Sequence, residues 1–192
     1  MKALFNNRTG NFCYLIVISA LMAACSQSLT YNDALRKNQN KIDDPERMDD
    51  ARFLVEAKSY NILETKLNEA AMASGYSASV VALAKENHEE YLEMDKELDQ
   101  LARREKITMP SLMDDRHQAL FFEVSKSDRK DFDKNLIRVL KMVNEENSSK
   151  YMRMATDALD EDVRAFAARK LDMFKSHQTE LETADQELLK TY

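Results

Sequence analysis

Two ionisable residues interrupt apolar stripes in segments with helical periodicity. Glu64 stands three residues before Leu67, and His177 stands three residues after Phe174, so each is expected on an apolar helix face. A carboxylate and an imidazole inside a helical bundle can ligate iron, zinc or manganese. In the alternative, structural role, Glu64 reaches water from the edge of its stripe and His177 is a hydrogen-bonded core histidine. Taken singly, residues of these types are more often structural, so both interpretations stay open.

Two further residues on the next predicted helix, His88 and Glu90, are weaker candidates for a metal site. His88 and Glu90 belong to a strongly charged run, for which a solvated surface is the ordinary role. Carboxylate-bridged di-iron bundles use Glu-x-x-His on two helices, and the sequence contains no such motif. Asp114 and His117 form Asp-x-x-His, but in a short connecting segment. The sequence therefore predicts neither a standard di-iron centre nor any catalytic residue.

The first 24 residues predict an export signal. They contain Lys2 and Arg8 and end in an apolar run, 12–24, that is too short to span a membrane comfortably. The run leads into Leu21-Met22-Ala23-Ala24-Cys25, which resembles the lipobox of bacterial lipoproteins. The resemblance implies that Cys25 carries lipid such as palmitate, and Ser26 in place of Asp implies an outer-membrane address. An ordinary secretory signal or an uncleaved anchor is the alternative.

Removal of this signal makes the rest of the chain more acidic. The signal contains two cations and no acid, so the net charge of −6 becomes −8 in the mature part. That charge gives no electrostatic footprint for nucleic acid or anionic lipid. Cys13 leaves with the signal and Cys25 carries lipid, so no disulfide, catalytic thiol or thiolate metal site is expected.

The elements that position the candidate residues are predicted to be helices throughout. Gly and Pro occur only twice each, whereas good helix formers are abundant. Residues 25–47 lack a steady apolar period and predict a polar tether that follows the lipidated cysteine. Residues 48–192 predict the folded domain. Its helices are expected from Asp49 or Asp50 to Gly75, from about Val80 to before Pro110, over 111–124, from Phe132 past Met154, and from a cap at Asp160 past Leu188.

Four long amphipathic helices can each bury one stripe in a shared core. The fold class predicted is therefore all-α, an up-down four-helix bundle with a short extra helix between helices two and three. The long connection between helices two and three is compatible with a ferritin-like arrangement.

Several short segments of this domain resemble those of a known family. They are Asp50-Ala51-Arg52-Phe53-Leu54, Glu64-Thr65-Lys66-Leu67, Glu97-Leu98-Asp99-Gln100-Leu101-Ala102, Ile107-Thr108-Met109-Pro110, Phe132-Asp133-Lys134 and Phe166-Ala167-Ala168-Arg169-Lys170-Leu171. Together they resemble the domain of unknown function 4142, a bacterial envelope family whose members look ferritin-like. The family pattern adds an Asp-His pair in each of helices two and three to the helix-one Glu and the helix-four His. Here Glu64 and His177 are kept, but the other two His positions fall on Tyr91 and Asn144.

The function predicted is that of an exported, lipid-anchored bundle of the cell envelope with a non-enzymatic binding or maintenance role. No cofactor is expected; its partners are the membrane, through the lipid, and an envelope protein. Binding calls for an exposed apolar groove, with Met94, Met142 and Met154 as candidates to line it. The alternative is a metal-binding or redox ferritin-like protein with a degenerate site formed by Glu64 and His177 with Glu90, Tyr91 or His88. A structural spacer is the third hypothesis.

Overall fold

The described part of the chain, residues 28–191 of a computed structural model, contains six α-helices and no strand. The helices are α1 (Tyr31–Gln39), α2 (Pro45–Ser74), α3 (Ala78–Arg104), α4 (Asp115–Ser125), α5 (Phe132–Asp157) and α6 (Glu161–Thr191). The all-α prediction is confirmed for these residues. The predicted signal and Cys25 lie outside them. No helix within 28–191 has an apolar stretch long enough to cross a membrane.

The four long helices pack around one core, in which α2 contacts α3 and α5, and α6 contacts the same two helices. Lys58 of α2 pairs with Asp99 of α3 at 2.8 Å, and Arg104 at the end of α3 pairs with Asp162 at the start of α6 at 3.2 Å. Arg153, near the end of α5, lies 3.7 Å from Asp49, near the start of α2. Helices α3 and α5 therefore run antiparallel to both α2 and α6. The connection that contains α4 returns the chain along α2 to the start of α5. The largest fully buried side chains include Tyr60, Tyr91, Tyr151, Phe166, Phe174, Leu54, Leu63, Leu67, Met94, Leu98, Leu101 and Leu136.

The structure differs from the predicted tether at residues 28–47, where α1 packs against α2. The Thr30 side chain caps α1 by accepting the N–H of Asp33 at 3.1 Å. Asn38 is fully buried; it donates to the Thr108 carbonyl at 2.9 Å and accepts the Thr108 N–H at 2.8 Å. The tether prediction is wrong for this segment because hydrogen bonds to the backbone hold α1, and an apolar period does not reveal them.

Local capping sets the ends of the long helices. The Asp44 side chain accepts the N–H groups of Glu46 and Arg47, so α2 begins four residues earlier than the predicted Asp49. The predicted cap of the last helix is confirmed, since Asp160 Oδ1 accepts the Val163 N–H at 3.0 Å.

Gly75 ends α2 as predicted, but for a steric reason rather than a conformational one. Its φ of −58° lies in a region open to any residue. A Cβ at Gly75 would lie 2.6 Å from the Ala71 carbonyl oxygen and 2.9 Å from Val81 Cγ2. The close approach of α2 to the first turn of α3 therefore requires a residue without a side chain.

Gly75→Ala should destabilise the domain by about 1–3 kcal/mol, because the Ala71 carbonyl is backbone and cannot move aside cheaply. Urea unfolding followed by circular dichroism measures this. Ser74→Ala, at the exposed preceding position, is the matched control and should stay within about 0.5 kcal/mol of the wild type. Equal stability of the two variants would contradict the steric argument.

Two buried carboxylates connect the α2–α3 hairpin with the α5–α6 hairpin. Asp50 accepts the N–H groups of Leu159 and Asp160 at 3.1 and 2.8 Å, in the turn before α6. Asp133 accepts the N–H groups of Tyr76 and Ser77 at 3.1 and 2.6 Å, in the turn before α3. Each hairpin thus supplies the acceptor for the turn of the other. Both aspartates lie in segments through which the sequence resembles its family.

Candidate functional site

A buried chain of hydrogen-bonding side chains crosses the bundle from α2 through α3 to α6. The Tyr60 hydroxyl lies 2.9 Å from the Tyr91 hydroxyl. The Tyr91 hydroxyl lies 3.2 Å from His177 Nδ1, and His177 Nε2 lies 2.7 Å from Glu90 Oε2. The first three residues are buried, whereas the Glu90 side chain is 48% exposed. The chain therefore leads from the core to solvent.

Glu64 forms the inner end of this chain, one helical turn after Tyr60. Burial raises the pKa of Glu64 from 4.5 to about 8, and hydrogen bonding from Tyr60 opposes the rise only in part. Burial also holds the pKa values of Tyr60, Tyr91 and Tyr151 well above 10. At neutral pH, Glu64 and the three tyrosines are therefore protonated and uncharged.

Several asparagines supply further polar groups of the core, and three of their amides bond to helix backbone. Asn68 donates to the Glu64 carbonyl at 2.9 Å, and Asn147 donates to the Val143 carbonyl at 2.8 Å. Asn144 donates to the Phe174 carbonyl at 3.0 Å. The Asn144 amide, which the resemblance described above aligns with a histidine of the family, therefore joins α5 to α6 through Phe174 and Gln178.

The structure brings four of the five candidate ligands into one network. Tyr60 joins Glu64 to Tyr91, and Tyr91 joins His177, which bonds to Glu90. The Nδ1 atom of His88, by contrast, is buried without a hydrogen-bond partner among the described residues. Tyr60, which links Glu64 to Tyr91, was not among the predicted candidates. Its position four residues before Glu64 is the signal that could have identified it, since residues i and i+4 are neighbours on a helix.

The candidates meet as hydrogen-bonding partners rather than as a ligand set. Both ring nitrogens of His177 are engaged, one by a neutral phenol and the other by Glu90. Two tyrosine hydroxyls stand between His177 and Glu64. Within residues 28–191, no group of three or more His, Cys, Asp or Glu side chains is arranged to hold a metal ion.

A second cluster contains Ser59, Asp114 and His117, residue types that also form hydrolytic triads. Ser59 Oγ and Asp114 Oδ2 both approach the same nitrogen, His117 Nδ1, at 2.7 and 3.2 Å. In a triad the histidine bridges serine and carboxylate through different nitrogens. Asp114 also accepts the His117 N–H at 2.7 Å and caps α4. Ser59 is fully buried, so the cluster secures the start of α4 and presents no nucleophile to a substrate.

An apolar groove of about 210 Å³ lies between α2, α4 and the segment that precedes α4. It is lined by Ile62, Lys66, Ser111, Leu112, Met113, Gln118, Phe121 and Phe122. Phe122 is 52% exposed and Leu112 is 39% exposed. The prediction that Met94, Met142 and Met154 line the binding groove is wrong, because Met94 and Met154 are buried and Met142 packs against the core.

Comparison with known proteins gives one result. No curated protein and no solved structure matches the chain significantly. The model of the family described as Domain of unknown function (DUF4142) matches residues 36–184, which is well over half of the chain and includes α2 to α5 in full. The chain therefore belongs to the DUF4142 family.

Proposed function

We propose that this chain is an exported lipoprotein of the bacterial envelope, lipidated at Cys25 and held at the outer membrane, and that it acts by binding rather than by catalysis. The lipobox-like sequence before Cys25 supports the anchor. The apolar groove between α2 and α4 supports a binding role and is the observation that carries it. The hydrogen-bonded chain of Tyr60, Tyr91, His177 and Glu90 supports the same conclusion, because these four side chains bond to one another.

We also propose that the four long helices form a four-helix bundle with a ferritin-like layout. The antiparallel contacts of α2 and α6 with α3 and α5, and the long return through α4, support this layout. A fold analogy of this kind carries no activity with it.

The anchor is tested by Cys25→Ser in the full chain expressed in a bacterial host. The wild type should incorporate labelled palmitate, gain the mass of a lipidated cysteine and float with membranes. The variant should lose all three properties, since Cys25 is the only cysteine after residue 24. Ser26→Ala, at the next position, is the control and should behave as the wild type. Unlabelled, non-floating wild-type protein would contradict the proposal.

The metal-binding alternative is tested by metal analysis of the domain purified from Ser26 onward, beside His177→Ala. We expect well under one equivalent of iron, zinc or manganese in both proteins, on the order of 0.1 or less. The reasons are the engaged ring nitrogens of His177 and the protonated state of Glu64 at pH 7. Stoichiometric metal that disappears in His177→Ala would establish the alternative instead.

A further inference from the structure

The chain enters the described domain at the edge of the apolar groove. The Leu29 N–H donates to Ser111 Oγ at 2.7 Å, and the Leu29 carbonyl accepts the Ser111 N–H at 2.9 Å. Ser111 lines the groove beside Leu112 and Met113. Two hydrogen bonds thus fix the point from which the preceding residues depart.

The distance from this point to the proposed lipid is short. Cys25 precedes Leu29 by four residues, which span at most about 14 Å when fully extended. A lipid on Cys25 therefore holds Ser111 and the groove close to the membrane surface, and the domain has little freedom to turn another face toward it. This step depends on the lipid anchor proposed above.

The surface next to this point contains three cation–π contacts between aromatic rings and Lys or Arg side chains. Lys66 Nζ lies 5.9 Å from the centroid of the Phe121 ring, Lys126 Nζ lies 5.3 Å from that of Phe122, and the Arg129 guanidinium lies 5.7 Å from that of Tyr76. Together with Leu112, these residues form what we call the aromatic–basic face: Lys66, Tyr76, Leu112, Phe121, Phe122, Lys126 and Arg129. It extends along α4 from the groove to the end of α2.

The charge of this face differs from that of the whole chain. The mature part is acidic, which argues against attraction to anionic lipid, yet the seven residues of the face include three cations and no carboxylate. Two of the cations lie beside the exposed rings of Tyr76 and Phe122, and the nearest exposed carboxylates in sequence besides Glu123 are Glu69 and Asp128. The carboxylate of α4 nearest to Lys126 in sequence, Glu123, is paired with Arg138. Rings at the depth of the headgroups, with Lys and Arg reaching the phosphates, are typical of surfaces that lie in a membrane interface. The face therefore complements an anionic bilayer.

We infer that the aromatic–basic face is the surface on which the domain rests against the phospholipid leaflet that holds its own Cys25 lipid. The occupant of the groove is the headgroup region of that leaflet. Attachment at Cys25 supplies the affinity, and the face sets the orientation. The outer surface of α5 and α6, which contains Met152 and Lys175, then points away from the bilayer.

The inference is tested with the full lipidated chain in vesicles of phosphatidylethanolamine and phosphatidylglycerol. Phe122→Cys and Met152→Cys each receive an environment-sensitive fluorophore, and lipids with a headgroup spin label act as quenchers. The two positions are a matched pair, since both are exposed apolar residues: Phe122 lines the groove on α4, and Met152 lines a different surface, on α5 and α6. Quenching should be about threefold or more stronger at position 122. A Lys66→Glu, Lys126→Glu, Arg129→Glu triple variant should lose the difference, whereas Lys175→Glu should keep it.

Three other outcomes would overturn the inference, and they can be told apart. Equal quenching at the two positions, in a chain that is lipidated and floats, would refute the orientation and leave the lipid anchor standing. A label at position 122 that is shielded from aqueous iodide in detergent would show that the acyl chain of the protein itself fills the groove. A chain without lipid by mass spectrometry would refute the anchor and the inference together.

Discussion

The wild type should lose on the order of 5 kcal/mol of its free energy of unfolding as the pH rises from 4.5 to about 8, and Glu64→Gln should not show this loss. Below pH 4.5, the Glu64 carboxyl is protonated in the folded and the unfolded chain. Between pH 4.5 and about 8, the unfolded chain releases the proton and the folded chain keeps it. The stability of the wild type therefore falls with rising pH by about 1.4 kcal/mol per unit in this window. Above about pH 8 the loss is complete.

The measurement is urea unfolding of wild type and Glu64→Gln from pH 4 to pH 9. The difference between the two proteins isolates Glu64, because the other titrating groups are common to both. The free energy of unfolding of the variant, relative to that of the wild type, should rise steadily from pH 4.5 to about 8 and then stay constant. Glu69→Gln, which changes an exposed carboxyl of the same helix, should follow the wild type. Parallel curves for wild type and Glu64→Gln would show that the folded protein does not keep Glu64 protonated.

Asp133→Ala should lower the free energy of unfolding by about 2–4 kcal/mol, because the N–H groups of Tyr76 and Ser77 lose their acceptor. Asp133 is 2% exposed, and a hydrogen bond from backbone N–H to a carboxylate is among the stronger ones in proteins. Asp133→Asn keeps one acceptor oxygen and should lie between the alanine variant and the wild type.

Chemical denaturation of the three proteins tests this order, and hydrogen exchange at the Tyr76 and Ser77 amides locates the effect. Asp131→Ala is the matched control, since Asp131 is exposed and makes no side-chain capping bond. It should change the stability by less than about 0.5 kcal/mol. A similar loss in both alanine variants would mean that the start of α5, and not the turn of the other hairpin, is affected.

The sequence was sufficient for the long helices because apolar residues recur at helical spacing along each of them, although α2 is buried on nearly all sides by α1, α3, α4 and α5. It failed at α1, whose fully buried polar residue, Asn38, bonds to the backbone of a segment about 70 residues away. It placed the start of α2 too late because Asp44 and Pro45 precede the stripe that defined the helix. The features that the sequence did not predict are therefore the capping of α2 by Asp44 and the long-range side-chain bonds that hold α1.

The sequence predicted most residues of the candidate site but not the hydrogen bonds that join them. Glu64 and His177 were found because each places an ionisable group on an apolar face. Tyr60 was not singled out, because a tyrosine fits an apolar stripe and shows its hydroxyl partner only in three dimensions. The bond from Tyr91 to His177 depends on the register between α3 and α6. A sequence does not contain this register, so it could not decide between a ligand set and a hydrogen-bonded chain.

Because each hairpin supplies the aspartate that accepts the turn amides of the other, the two hairpins are expected to fold in a particular order. A chain delivered N-terminus first forms α2 and α3 while the amides of Tyr76 and Ser77 still lack Asp133. The second hairpin needs Asp50, which is already present, to complete its turn. The turn of the first hairpin therefore stays solvated until the second hairpin has folded. Docking of the second hairpin then completes the hydrogen bonds of both turns. Folding then ends in one concerted step, and neither half can persist as a finished intermediate.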